Sequence, residues 1–209
     1  FGLVNIPVKL VTAIDRKNVR FRELRRDDAS RIRYRKTAAS DGEEVASDEI
    51  VKGFEVAPDR YVVLEPEELK ALAPESSRAI EIEDFVELAE IEPLHYDASY
   101  YLLPGDTASK PYALLHTAMQ ESGRAAVARF VMRTKEHLAV IRPVGPALAV
   151  TTLVYHDEVV PTEQLEGLPG EDVEPSKREL DMATSLIDSM TVPWEPERYT
   201  DAHREQVLE

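Results

Sequence analysis

Cysteine is missing from all 209 residues. That excludes disulfides, cysteine-bound metals and a thiol nucleophile, and it suits a cytoplasmic protein. No apolar run is long enough to span a membrane, and no signal-peptide pattern opens the chain. The first residue is Phe1 rather than Met, so the visible chain reads as trimmed at its start. The eight glycines never fall into G-x-G-x-x-G or G-x-x-x-x-G-K, which leaves ATPase and kinase chemistry without support. No serine stands in a G-x-S-x-G elbow. The five histidines, His95, His116, His137, His156 and His203, lie far apart without ligand spacing, so no metal is expected. The single tryptophan, Trp194 in PWEP, reads as a packing anchor in a connector.

What the chain has in excess is negative charge, a net -15. A polyanion such as nucleic acid would be repelled by an evenly acidic surface, but the charge is uneven. Residues 16–36 hold ten Lys or Arg against Glu23, Asp27 and Asp28. That segment therefore carries +7, and the remainder of the chain carries -22. A compact cationic segment on an acidic body is the main asymmetry of the sequence.

Periodicity sets the expected elements. Residues 3–12 form an apolar β-like run with Pro7 inside, which marks an edge or a bend. In VRFREL and RIRYRK, arginines alternate with Val19, Phe21, Ile32 and Tyr34. Side chains alternate faces along a strand, so the spacing predicts an antiparallel pair joined by DDAS. One face would be basic and the other buried. A turn at SDG (40–42) precedes two short strands in EIVKGFEV and RYVVLEP. PEELKALAPE reads as a short helix with Pro66 in its first turn and Pro74 at its end. An exposed strand follows in AIEIEDFVELAEI and a short apolar one at Tyr100–Leu103, then a helix from Pro111 to Ser122 stopped by Gly123. Residues 124–134 and 137–142 read as a hairpin, and 147–155 as a further strand. After a loop over 161–175, Ser176 and Glu179 form a capping box for a helix with Leu180, Ala183, Ile187 and Met190 on one face. A last helix starts near Asp201.

The basic double strand is the leading candidate site. Arginine and lysine on a strand face can track phosphates by releasing counterions. With Phe21 and Tyr34 assigned to the opposite, buried face, base stacking is not expected and duplex backbone contact without sequence readout is. Arg16, Lys17, Arg20, Arg22, Arg31, Arg33, Arg35 and Lys36 are the expected DNA contacts, with Arg25 and Arg26 at the flanks. Arg129, Arg133 and Lys135 on the later hairpin are the second choice. The acidic groups Glu43–Glu44, Glu67–Glu68 and Glu81–Glu83–Asp84 could do acid–base work or bind magnesium. Among 40 acidic residues, however, such groups arise by composition alone.

Taken in order, FGLVNIPVKL, RIRYRK, DEIVKGFE, YVVLEPEEL, IEIEDFV, SYYLLP, KPYALL, ARFVMRTKEHLAVIRP, LIDSM and PWEPERYTDAHREQ resemble the blocks of the bacterial Ku family. The resemblance runs from Phe1 to about Gln206. It implies a β-dominated α+β fold: an antiparallel β-barrel with a strand-rich arching insertion and a C-terminal helical arm. On that basis 1–160 would be the barrel core, with the basic arch at about 14–65, and 161–209 the arm. The resemblance implies no catalytic residues and no cofactor. It implies a homodimeric ring on double-stranded DNA ends that recruits an ATP-dependent DNA repair ligase for non-homologous end joining, with no membrane, in a bacterial, nucleoid-associated setting. Many relatives carry a C-x-x-C pair after the RIRYRK-like strand, whereas Ala38 and Asp41 stand here. The family's frequent lysine-rich tail would lie beyond Glu209. The apolar face of the helix after Ser176, with Trp194 beyond it, exceeds what one small barrel can cover, and an arm packed on a partner subunit is expected. Two other readings compete: a nonenzymatic interaction module with an acidic face, and a metal-dependent nuclease built on an acidic cluster.

Overall fold

The computed structural model describes residues 5–72, 79–132, 134–170 and 173–208. Leu3, Val4, Pro74 and Arg133, each assigned a part above, lie outside the described residues. By contacts the chain divides into two compact units, Phe1–Arg16 with Arg22–Val159 and Lys17–Phe21 with Val160–Glu209.

The first unit is organised by a six-stranded antiparallel sheet. Its strands are β1 (Val8–Thr12), β4 (Ile80–Glu87), β5 (Tyr96–Pro104), β6 (Arg124–Met132), β7 (Lys135–Val144) and β8 (Ala147–Leu153), in the order β1-β5-β8-β7-β6-β4. The described residues between Thr12 and Ile80 supply no strand to it. They contain a separate hairpin of β2 (Lys52–Ala57) and β3 (Arg60–Leu64), and the helix α1 (Pro66–Leu72). Register carries one row of side chains across all six strands: Phe85, Ala126, Ile141, Val150, Tyr100 and Thr12 are successive partners. The alternation that marked these strands in the sequence places Ala126, Ala128 and Phe130 on the same face. A bulge between Ile82 and Asp84 shifts the register of β4, so Phe85 rather than Asp84 falls opposite Ala126.

Helix α2 (Ser109–Ser122) lies against β6 and β7 and buries Tyr112, Leu115 and Met119. These join Leu102, Ala126, Ala128, Phe130, Ala139, Ile141, Leu148 and Val150 in one core. Alanines at 126, 128 and 139 have no bulk to hold the helix away from the sheet. Gly123 takes φ +67° at the helix end, a left-handed value that a Cβ would penalise. The Tyr112 hydroxyl donates to the Leu102 carbonyl at 2.6 Å and accepts from the Leu148 N–H at 2.7 Å. Leu102 and Leu148 are cross-strand partners, so one hydroxyl ties the helix to β5 and β8 together.

The second unit has no buried described residue. It contains α3 (Lys177–Met190) and α4 (Ala202–Leu208). The capping box is formed: Ser176 Oγ accepts from the Glu179 N–H, and the Glu179 carboxylate accepts from the Ser176 N–H at 2.8 Å. The Ser176 hydroxyl also donates to the Glu179 carboxylate at 2.6 Å, and this bond, followed by that from the Ser176 N–H, holds the carboxyl below its ordinary value. Trp194 stacks on Tyr199 with ring centroids 5.1 Å apart.

Two expectations differ from what the structure shows. The first is met in part: the antiparallel sheet is present, but no closed barrel is found among the described residues, where β1 pairs only with β5 and β4 only with β6. The bulge and the exposed Glu81 and Glu83 of β4 are features that resist further pairing at an edge. The basic double strand is likewise not a ladder. VRFREL and RIRYRK meet at a single bridge, Leu24 to Arg31. Continuing that antiparallel register would set Arg22 opposite Arg33 and Arg20 opposite Arg35, and like charges directly opposite oppose pairing.

Candidate nucleic-acid interface

The cationic segment is held by turns rather than by a sheet. In the DDAS turn, the Arg25 N–H donates to the Ser30 carbonyl at 2.8 Å and the Ile32 N–H to the Glu23 carbonyl at 3.0 Å. Ala29 takes φ +54° there. Asp28 accepts from the Ser30 N–H at 3.0 Å, and this bond holds its carboxyl below the ordinary aspartate value. An aspartate bonding two residues ahead is the reason such residues initiate turns. Asp28 and Asp27 also lie 3.8 and 4.0 Å from the Arg25 guanidinium.

A second turn follows. Thr37 bridges Glu44, the Ala38 N–H donates to the Glu43 carbonyl at 2.9 Å, and Asp41 accepts from the Glu43 N–H at 2.9 Å. Gly42 sits at φ +76°. The turn containing Ala38 and Asp41 is thus closed by hydrogen bonds. Among the described residues, no three His, Asp or Glu side chains are grouped to hold a metal ion.

All eight predicted contacts, Arg16, Lys17, Arg20, Arg22, Arg31, Arg33, Arg35 and Lys36, are exposed. Lys17 and Arg20 group with the second unit, the other six with the first. Their electrostatic states also differ. Arg35 is paired with Glu44 at 2.7 Å. Arg20, Arg22, Arg31 and Arg33 have no carboxylate within salt-bridge distance among the described residues. The unpaired guanidinia are the ones free to meet a phosphate without first breaking an ion pair.

The second-choice site is weaker. Arg129 lies 2.9 Å from Glu83 on β4 and 3.2 Å from Glu136 on β7. Bonds to Glu136 and then Glu83 raise its pKa above the ordinary arginine value. It clasps three neighbouring strands and already has two anions.

Sequence reasoning missed the aromatic component. Phe21 and Tyr34, assigned to a buried face, are 78% and 81% exposed. The alternation in RIRYRK was a true signal of two faces only if a ladder formed, and it does not. Tyr34 donates its hydroxyl to the Glu23 carboxylate across the turn. No helix among the described residues is long and apolar enough to cross a membrane.

The structure thus combines an antiparallel β domain with an exposed cationic segment on an otherwise acidic chain. Residues 1–182 match the family described as Ku, the Ku70/Ku80 beta-barrel domain, and the chain belongs to that family. Among its relatives, the chain is 50% identical to the non-homologous end joining protein Ku of Anaeromyxobacter sp. (strain K), over 100% of this chain and 70% of that protein. It is 44% identical to the protein of the same name from Heliobacterium modesticaldum, over 99% and 75%. With that from Bacillus subtilis it shares 39% identity, over 100% and 67%.

Proposed function

We propose that this chain binds the ends of double-stranded DNA in non-homologous end joining, without reading sequence and without a catalytic step of its own. The observation that carries the reading is that Arg22, Arg31 and Arg33, in a +7 segment of a -15 chain, are exposed and unpaired among the described residues. The names of its relatives support the pathway. The working form is a homodimeric ring. Residues 1–160 are its barrel core, about 14–65 its arch over the duplex, and 161–209 the arm that packs on the partner subunit. The ring recruits an ATP-dependent DNA repair ligase and acts in the bacterial cytoplasm, at the nucleoid. An acidic outer wall would repel side-on binding and leave threading over an end as the favoured route.

Two measurements test it. Linear duplex should bind with an affinity that falls steeply with salt, and closed circular duplex of equal length should bind far more weakly. Equal binding to both would end the ring reading. Adding magnesium or manganese should produce no cleaved DNA, which separates this reading from a nuclease. Each neutralised phosphate changes the slope of log K against log salt by about 0.9. Replacing Arg31 and Arg33 with alanine should flatten that slope by about two units for any duplex sequence. Adding Arg35→Ala should change it less than either, because Glu44 already compensates that charge. A double variant with the parental slope would move the DNA site elsewhere.

A further inference from the structure

The proposed duplex contacts need only cations, yet the same turn holds an aromatic ring in water. Tyr34 is 81% exposed, although tyrosine normally buries its ring. Its hydroxyl donates to Glu23 on the other arm of the turn, and the two arms are joined by the Leu24–Arg31 bridge. The ring is therefore anchored at its polar end while its body stays exposed. In sequence it stands beside Arg33, and the turn also carries Arg22 and Arg31, all exposed and unpaired among the described residues. A cation for the backbone and an exposed ring for the base are the two contacts that an unpaired nucleotide takes. Bases stacked inside a duplex offer no free face to such a ring.

We infer that Tyr34 is a stacking platform for an unpaired base, so that this turn engages single-stranded overhangs at DNA ends as well as duplex phosphates. The inference rests on the DNA-end reading above and adds a substrate class to the same segment. Glu23 sits on the ring's hydroxyl and, with Asp27 and Asp28 of the same turn, carries charge that opposes phosphate. The ring, not that carboxylate, supplies the binding. Stacking one base on an aromatic side chain raises affinity about five- to a hundredfold, with little dependence on the base.

The test compares blunt duplex with duplex bearing a short overhang that carries 2-aminopurine next to the junction. The parent chain should bind the overhang at least about fivefold more tightly and quench the fluorophore on binding. Tyr34→Leu should lose both the advantage and the quenching, with blunt-end affinity retained. Tyr34→Phe keeps the ring and should keep both. The inference is overturned if Tyr34→Leu weakens blunt and overhang ends equally, or if Tyr34→Phe fails as badly as Tyr34→Leu, since the hydroxyl contact to Glu23 would then be what matters. It is also overturned if Tyr34→Leu instead raises the monomer fraction in sedimentation, because the ring would then pack against a second copy. If the parent binds blunt ends but shows no overhang preference, only the stacking inference fails. If it binds neither, the DNA-end reading fails with it.

Discussion

Helices α2 and α3 have the same length, 14 residues each, and opposite fates. α2 presses Tyr112, Leu115 and Met119 into the sheet. α3 has no buried residue, and Leu180, Met182, Leu186, Ile187 and Met190 all stand exposed. The more cleanly amphipathic pattern belongs to α3, the helix without a core. An apolar stripe thus states that a surface is to be covered, and the rest of the fold decides by what. For α2 the cover is β6 and β7 of the same chain. For α3 the proposed cover is a second subunit.

The sharpest way to break this contrast is a pair of truncations. Met119→Ala should cost about 2–5 kcal/mol in urea unfolding, because a fully packed side chain leaves a cavity. Ile187→Ala on α3 should change the stability of the isolated subunit by less than about 0.5 kcal/mol, as exposed substitutions do. A large concentration-dependent loss from Ile187→Ala would mean that α3 is covered in solution, as the arm-on-partner proposal requires.

A smaller effect is expected where α2 meets the sheet through a hydroxyl. Tyr112→Phe keeps the ring but leaves the Leu102 carbonyl and the Leu148 N–H without their partner. Unsatisfied buried groups of this kind cost about 1–3 kcal/mol, measurable as a lower denaturation midpoint. A neutral result would mean that water enters between α2 and β8 and replaces the hydroxyl.

The smallest effect belongs to the start of α3. Ser176→Ala removes the cap and should cost about 1 kcal/mol of local helix stability, read as faster amide exchange in the first turn. The Glu179 carboxyl is held below its ordinary value by the same cap. A lowered folded-state pKa stabilises above the unfolded value and is lost as pH falls through the folded value. Protection of this turn should therefore hold at neutral pH and fade only below the usual glutamate range. Loss of protection near neutrality would assign the helix start to another contact.

The basic segment illustrates where reading stopped. Its composition alone marked it as the candidate site, and all eight predicted residues are exposed. Its secondary structure was misread, because alternation of arginine with Ile32 and Tyr34 looks the same whether or not a partner strand can approach. Repulsion between facing arginines is a pairwise effect, invisible until the register from Leu24 and Arg31 is known. The exposed ring of Tyr34 and the neutralising contacts of Arg35 with Glu44 and Arg129 with Glu83 and Glu136 follow from the same kind of information.

Local pattern was sufficient for the hairpin of β6 and β7, for β2, β3 and β8 as strands, for α2 with its Gly123 stop and for the Ser176–Glu179 cap. Each depends on neighbours a few residues apart, whose spacing and φ preferences the chain carries in itself. Tertiary structure alone decided that β1 lies beside β5, that a bulge turns Phe85 rather than Asp84 to the face of Ala126, and which arginines are unpaired among the described residues. Those outcomes turn on distances between residues far apart in sequence, and charge and packing act through distance in space rather than position along the chain.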